Sequence, residues 1–296
     1  MEHRLEKMAE FVRLLEEHAA EEGLIPTGIH NLHLLRLSQQ VNRFPQIYEP
    51  GIIIGAQGQK NIYLEGKQYE YCAGKFLTLF VPMPVECEIV EASPEKPLLG
   101  AGIIIDRNRL IRLLLKMDSV DRPPMKPDTI NASGIFSAPI SDNLLDAAIR
   151  LIKTLGNPSE AAVLGEAIID EIYFRVLTDV QGGALTYLLQ QRGQIQQIAR
   201  AVEYVNQNLG KPVSVDDLAD MVNMSTSGFH KKFKEVMHVS PLQYAKSIKL
   251  NRAQTYILQG KSVSEAGYIV GYNSPAQFSR EYKRHFGVVP SETHII

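Results

Sequence analysis

The spacing of hydrophobic positions changes along the chain. Residues 4–20 carry apolar side chains at helical spacing, which predicts an amphipathic helix. From about residue 30 to 105, short runs of β-branched and aromatic residues alternate with Gly or Pro, a pattern typical of a sandwich or barrel of strands. The predicted strands are Leu32–Leu37, Ile52–Ala56, Asn61–Leu64, Gln68–Cys72, Phe76–Val81, Val85–Val90 and Gly100–Ile105.

The helical period returns after the predicted strands. It predicts helices over Asp106–Lys116, Ser141–Leu155 and Ser159–Leu177. The last two are expected to form an antiparallel pair, packed either on the strands or on a partner chain. A Gly-flanked polar stretch at residues 182–193 predicts a linker, because such residues resist packing.

The last third of the chain repeats one pattern. Ser214 precedes a short predicted helix, Val215–Val222, and Asn223 suits the left-handed conformation of a tight turn. Ser225 then caps a second predicted helix, Thr226–Met237. Two short helices joined by such a turn are typical of a helix-turn-helix unit.

A second unit of this kind follows between residues 262 and 286. Ser274 is its cap, and Pro275 occupies the first helical position, where proline is favoured. A longer predicted helix, which starts after Ser240 and ends before Gly260, joins the two units. Four positions recur 49 residues apart, the pairs being Ser225 and Ser274, Phe229 and Phe278, Phe233 and Tyr282, and Lys234 and Lys283.

The second helix of each unit has one apolar and one polar face. Its aromatic pair is spaced four residues apart, so both rings are expected to face the core. The polar faces suit base edges and phosphates in a major groove, although a merely solvated face would look the same for one helix alone. Arg280 is the best candidate for recognising a guanine, because its guanidinium can donate to two acceptors at once. The candidate DNA-binding residues are Ser227, His230, Lys231 and Lys234 in the first unit and Ala276, Gln277, Arg280 and Lys283 in the second.

The net charge of the 296-residue chain is −2, which by itself argues against a nucleic-acid partner. Residues 1–192 carry 19 Lys and Arg against 25 Asp and Glu, a net charge of −6. Residues 193–296 carry 12 against 8, a net charge of +4. Such asymmetry indicates that the basic part contacts nucleic acid, and the length suggests about two domains.

The composition is that of an ordinary globular protein, with 45% hydrophobic and 22% charged residues. No apolar stretch reaches the ~20 residues that span a bilayer, and the acidic N-terminus is unlike a signal peptide. Cys72 and Cys87 are the only cysteines. We therefore expect a protein of the reducing cytoplasm that does not contact a membrane.

Residues 193–290 resemble the DNA-binding domain of the AraC family of bacterial transcription regulators. The matching residues include Ser240–Tyr244, Val270–Ser274, Gln277–Arg280, Phe286, Gly287 and Pro290. The resemblance implies that the second helix of each unit enters successive major grooves on one face of double-stranded DNA. Asn223 departs from the glycine that often occupies the first turn in the family. The positions that match base-facing ones are Ser227, His230, Lys231, Ala276, Gln277 and Arg280.

The N-terminal part resembles the AraC-type regulator N-terminal domain. The resemblance lies in Tyr48–Pro50, Gln57–Lys60, Tyr69–Tyr71 and Glu91–Pro97, and it continues to about Leu177. It implies an α+β fold with a cupin-like β-barrel and flanking helices over residues 1–185. An all-α tandem helix-turn-helix domain is expected over residues 193–296. The first domain would sense a ligand and dimerise, and the second would bind DNA.

Two residues are candidates for contact with a ligand in the barrel. Arg36 shares its strand face with Leu32 and Leu34, and it would either pair with an anionic ligand or form a structural ion pair at the rim. Cys87 falls on an apolar face of its strand, either as a buried small hydrophobe or as a reactive thiol. The second interpretation requires a depressed pKa and solvent access.

A metal site and a cofactor are not expected. No histidine occurs between His33 and His230, so the His and Glu ligand set common in cupins is missing. His30 and His33 lie three residues apart in a segment expected to be extended, which would place their side chains on opposite faces. The sequence therefore favours a protein that is not an enzyme.

The leading hypothesis is a sequence-specific transcription regulator of the AraC family, a homodimer whose barrel binds an unknown small-molecule effector. If it is an activator, as the family resemblance favours, RNA polymerase is a further partner. A ligand can act only by binding one arrangement of the protein more tightly than another. Two alternatives are a cupin-type enzyme tethered to DNA and a barrel that serves only for dimerisation.

Overall fold

The computed structural model describes residues 2–64, 66–118, 135–178 and 194–293. The chain divides into two compact units, one built mainly from the N-terminal two-thirds and the other mainly from the C-terminal third. The linker predicted at residues 182–193 lies outside the described residues. No helix in the described ranges is long and apolar enough to cross a membrane.

The N-terminal region mixes helices and strands, as predicted. Its elements are α1 (Glu2–His18), β1 (Gly23–Pro26), β2 (Leu32–Leu37), β3 (Val41–Tyr48), β4 (Gly51–Gln57), β5 (Gln59–Leu64), β6 (Lys67–Cys72), β7 (Lys75–Leu79), β8 (Met83–Glu91), β9 (Leu98–Ile104), α2 (Arg107–Asp118), β10 (Ile135–Pro139), α3 (Asp142–Lys153) and α4 (Pro158–Thr178).

The strands form two sheets. One has six strands in the order β1-β2-β9-β4-β7-β10, and the other has four in the order β3-β8-β5-β6. Within the described residues no strand pairing joins the two sheets, so the predicted closed barrel stays a prediction. The mixed architecture of sheets and flanking helices is confirmed.

Three strands were not predicted, namely β1, β3 and β10. Each contains a proline, Pro26, Pro45 and Pro139 respectively, and each lies at the edge of its sheet. A proline cannot donate to a strand ladder, and it is tolerated at an edge, where one side of the strand has no partner. At these three edges, a proline is therefore compatible with a strand.

One face of the six-stranded sheet is covered by helices. In register, Leu34 lies opposite Ala101 and Ile52 lies opposite Ile103, and all four side chains are buried. They belong to one hydrophobic cluster with buried residues of α1, α3 and α4. The predicted pair of antiparallel helices thus packs on the strands.

The second compact unit contains residues 194–293, which form helices and turns, together with Arg43–Tyr48 from β3 and Val81–Cys87, which includes the start of β8. Its helices are α5 (Gln194–Gln207), α6 (Val215–Met221), α7 (Thr226–Met237), α8 (Pro241–Leu258), α9 (Val263–Ile269) and α10 (Pro275–Phe286), followed by the 3-10 turn Pro290–Glu292. The tandem arrangement predicted from the sequence is confirmed, with α6 and α7 as the first helix-turn-helix unit and α9 and α10 as the second.

The turns inside the two helix-turn-helix units begin with the same backbone conformation. The first helix ends with a left-handed residue, Asn223 (φ 55°) in one unit and Gly271 (φ 87°) in the other. In both, the next amide donates to the carbonyl five residues earlier, Met224 to Ala219 and Tyr272 to Gly267. This is the Schellman pattern, which satisfies the last carbonyls of a helix.

Gly271 has a second constraint, because it contacts the loop after α5. A Cβ atom at Gly271 would lie 2.8 Å from the carbonyl oxygen of Gly210. The obstacle is backbone, so a larger residue cannot fit without moving the second unit's turn away from that loop. By contrast, Gly260 also has a positive φ (91°), but a Cβ atom there would have no neighbour within 4 Å.

We expect Gly271→Ala to destabilise the protein more than Gly260→Ala. Both substitutions force a side chain into a left-handed conformation, which costs roughly 1–2 kcal/mol. Only Gly271→Ala adds a steric clash, which should cost a further ~1–3 kcal/mol in the free energy of unfolding. Urea unfolding of the full chain measures the difference, and equal losses would show that the contact with Gly210 is unimportant.

Candidate nucleic-acid interface

The two candidate recognition helices, α7 and α10, begin in the same way. The hydroxyl of Ser225 accepts from the backbone N–H of Gly228 at 3.2 Å, and that of Ser274 accepts from Gln277 at 3.3 Å. Both caps were predicted. Each cap fixes the first turn of its helix.

Burial of an aromatic pair sets the orientation of each helix. Phe229 and Phe233 are each 0% exposed on α7, and Phe278 and Tyr282 are 1% and 0% exposed on α10. Their ring centroids lie 5.5 Å apart in both pairs. The faces opposite these rings must therefore point to solvent, as the sequence predicted.

All eight predicted DNA-contacting side chains are exposed. Gln277 has a partner, because its amide donates to Glu281 Oε1 at 3.3 Å. Together the exposed residues form one polar face on each helix. They are Ser227, His230, Lys231 and Lys234 on α7 and Ala276, Gln277, Arg280 and Lys283 on α10.

One exposed cation on α10 was missed. Arg284 lies four residues after Arg280 and seven after Gln277, so it shares their face. The same helical spacing that identified Arg280 was enough to find it. On α7, in contrast, Lys232 lies off the polar face and pairs with Glu235 at 3.4 Å.

Below α10 lies a polar network centred on Glu281. Its carboxylate accepts from the hydroxyl of Tyr272 at 2.9 Å and lies 3.2 Å from Nζ of Lys246. Burial opposes ionisation of Glu281, but hydrogen bonds from Tyr272, Gln277 and Lys246 outweigh it and hold the carboxyl pKa below its usual value. Burial, and then the bond to Glu281, raises the pKa of Tyr272.

His285, near the end of α10, is largely enclosed. Its Nε2 atom lies 3.1 Å from Nδ2 of Asn251, and its ring packs edge-on against Phe286. Burial, with a smaller effect from the charge of Lys246, lowers the pKa of His285 to about 4. His285 is therefore a neutral structural residue of the second unit and not part of its cationic face.

Arg36 lies at the end of the helix-covered face of the six-stranded sheet. Its guanidinium donates to the carbonyl of Ala19 at 3.5 Å and lies 3.8 Å from Glu22. It shares that face with Leu32 and Leu34, both of which are 1% exposed and belong to the cluster that includes helix residues. The side chain thus contacts the segment that follows α1.

Cys87 is 0% exposed, in the middle of β8. A thiol needs solvent access to react, so its burial favours the interpretation as a small hydrophobe. Cys72 is only half-buried, but burial raises the pKa of its thiol, which disfavours the reactive thiolate.

The extended geometry expected for His30 and His33 is wrong. His30 lies in the turn between β1 and β2, next to Asn31 with φ 66°, and only His33 lies in a strand. This turn was not predicted from the sequence, because its left-handed residue is Asn31 and not a glycine. In the described ranges, no cluster of three or more His, Cys, Asp or Glu side chains is placed to hold a metal ion.

A buried lysine on β5 was missed by the sequence analysis. Lys60 is only 4% exposed and shares a buried strand face with Ile62 and Leu64. Its partner in the β5–β6 register is Tyr71, which is 0% exposed. Lysine is rarely buried in this way, because removing its charge from water is costly. The alternation of β5 placed Lys60 on the apolar face and was the available signal.

Comparison with known sequences agrees with this architecture. The AraC-type transcriptional regulator N-terminus matches residues 28–184, and a helix-turn-helix domain matches residues 218–294. The lactose operon transcription activator of Staphylococcus xylosus is 24% identical over 241 residues, which cover 81% of each protein. The HTH-type transcriptional regulator ArgR of Pseudomonas aeruginosa is 32% identical over 96 residues, 32% of this chain and 29% of that protein.

The same fold occurs in solved structures. The crystal structure of ToxT from Vibrio cholerae with an unsaturated fatty acid bound matches with a TM-score of 0.60 at 12% identity, over 88% of this chain and 92% of that one. The apo form of the ToxT variant K231A matches with a TM-score of 0.58 at 11% identity, over 90% and 98%.

Two capped helix-turn-helix units that follow an N-terminal sheet domain in the sequence define a DNA-binding transcription regulator. Because the N-terminal match covers more than half of the chain, the protein belongs to the AraC-type transcriptional regulators.

We expect His285 to make the folded state less stable at acidic pH. Its pKa is about 4 when folded and 6.5 when unfolded, so the unfolded chain binds a proton more readily. Stability is retained above pH 6.5 and falls as the pH drops towards 4, by about 3 kcal/mol in total. Urea unfolding between these pH values should show a shallower decline for His285→Gln. His230→Gln, an exposed histidine on α7, is the control, and parallel curves for all three proteins would contradict the assignment.

Proposed function

We propose that α7 and α10 insert into successive major grooves on one face of the operator. The observation that carries this proposal is the pair of polar faces, each held outward by a buried aromatic pair and a serine cap. Side chains on these faces include Ser227, His230, Gln277 and Arg280, which match groups on base edges. Lys234 and Lys283 lie nearer the C-terminal ends of the two helices, and their ammonium groups suit contacts with phosphates.

On this proposal, residues 193–296 are the DNA-binding domain and residues 1–185 are the sensing and dimerisation domain. Closure of the two sheets into a cupin-like barrel is part of the proposal. Exposed apolar residues on α4 support dimerisation through the helices, since Val163 is 73% and Leu164 is 46% exposed. RNA polymerase is a further partner if the protein is an activator, as the name of its Staphylococcus xylosus relative suggests.

We further propose that the effector is a small molecule with an acidic group. Lys60 supports this class of ligand, because an ammonium group beside the buried residues of β5 can donate charge-assisted hydrogen bonds to a carboxylate. The fatty acid bound to ToxT is an example of such a ligand in a protein of the same fold. Arg36 and Cys87 were the earlier candidates, and their contacts and burial make them weaker ones than Lys60.

Arg280→Ala tests DNA recognition by α10. Loss of a two-bond contact with guanine should cost roughly 1–3 kcal/mol on a selected operator and little on random duplex. Fluorescence anisotropy with full-length protein at fixed salt measures both affinities. Arg252→Ala, which removes an exposed arginine from α8, controls for charge. Equal losses on both DNAs would show that Arg280 contacts only phosphate.

Lys60→Met tests the acidic effector. A ligand that binds only the folded protein stabilises it by about 2.7 kcal/mol at a concentration of one hundred times Kd, and so raises its melting temperature. We expect oleic acid to stabilise the wild type more than oleamide does, and Lys60→Met to abolish that preference. Lys67→Met, at an exposed lysine on β6, should retain it. A preference that persists in Lys60→Met would rule out this role.

A further inference from the structure

Gln277, a candidate base-contacting residue on α10, is held by a second side chain of the same helix. Its Nε2 atom donates to Glu281 Oε1 at 3.3 Å. A carboxylate can only accept hydrogen bonds, so the nitrogen side of the amide must face Glu281. The contact therefore fixes which way the amide points.

Glu281 is itself anchored from two other elements. The hydroxyl of Tyr272, in the turn before α10, and the ammonium of Lys246, on α8, lie 2.9 and 3.2 Å from its Oε2 atom. The Tyr272 ring is 9% exposed and packs on Phe278, with centroids 5.3 Å apart. Because the anchor is fixed to the core, Glu281 can restrain the exposed side chain of Gln277.

The bond to Glu281 uses one hydrogen of the Gln277 amide. The carbonyl oxygen and the second N–H remain available at the exposed end of the helix. One acceptor beside one donor is the pattern that complements the N6 amino group and N7 of adenine in the major groove. An amide already held in one orientation also loses less entropy on binding than a free glutamine.

We propose that Glu281 is a positioning residue that orients the Gln277 amide to recognise an adenine in the second half of the operator. This inference rests on the proposed insertion of α10 into a major groove. The first unit has no such device, since the residues 49 positions earlier are Gly228 and Lys232. The preference for adenine therefore applies only to the part of the operator that α10 contacts.

The test uses full-length protein and duplexes selected from a random pool. Binding to the selected operator and to each single base-pair variant gives a profile of discrimination. Gln277→Ala should reduce discrimination at one A·T pair by about tenfold. Glu281→Ala should reduce it at the same pair by about fivefold or more, and should have no further effect when combined with Gln277→Ala.

Two further variants separate positioning from folding. Glu281→Gln keeps an oxygen that can accept from Gln277, so it should retain most of the discrimination. Lys246→Met leaves Glu281 in place but removes one anchor, and it should weaken discrimination at the same pair even if Glu281→Ala unfolds. Glu203→Ala is the matched control, because Glu203 accepts from Gln207 at 3.2 Å in an equivalent pair on α5.

Three results would overturn the inference. A uniform loss of affinity in Glu281→Ala, with an unchanged profile, would show a general structural effect. A changed profile in Gln277→Ala but not in Glu281→Ala or Lys246→Met would leave DNA recognition by α10 intact and remove the role of Glu281. Discrimination by Gln277 at a G·C pair would remove the adenine assignment. If no variant on α10, Arg280→Ala included, alters binding, the proposed function itself fails.

Discussion

The burial of one aromatic pair in each helix-turn-helix unit determines which side chains its second helix exposes to solvent. Phe229 and Phe233 in α7, and Phe278 and Tyr282 in α10, lie one helical turn apart and are almost fully excluded from water. Burying four large rings is worth several kcal/mol, which fixes the rotation of each helix about its own axis. The position of every polar side chain on these helices follows from that rotation.

The two units are built alike but are not equivalent. The left-handed residue precedes the serine cap by two positions in the first unit, at Asn223, and by three in the second, at Gly271. The turn of the second unit contains Tyr272, which is 9% exposed and whose hydroxyl donates to Glu281. The second helix-turn-helix unit thus has a polar network below its exposed polar face.

The N-terminal region shows how strand alternation decides the environment of a side chain. Arg36 and Lys60 are both cations in strands next to apolar residues, and the local sequence pattern does not distinguish their environments. The register places Arg36 on the helix-covered face beside the segment after α1, and Lys60 on a buried face opposite Tyr71. Which face of a sheet is covered, and by what, depends on elements far away in the chain.

The sequence by itself determined the features that are local. Serine caps at Ser225 and Ser274, the left-handed turn at Asn223 and the aromatic spacing all depend on residues within one or two helical turns, so their pattern sufficed to predict the tandem units. Tertiary structure decided which strands lie at the sheet edges, what covers the face of β5 that carries Lys60, and the anchoring of Glu281 by Lys246. Each of these results from the pairing or packing of segments distant in sequence, and hydrophobic periodicity carries no information about which distant segments meet.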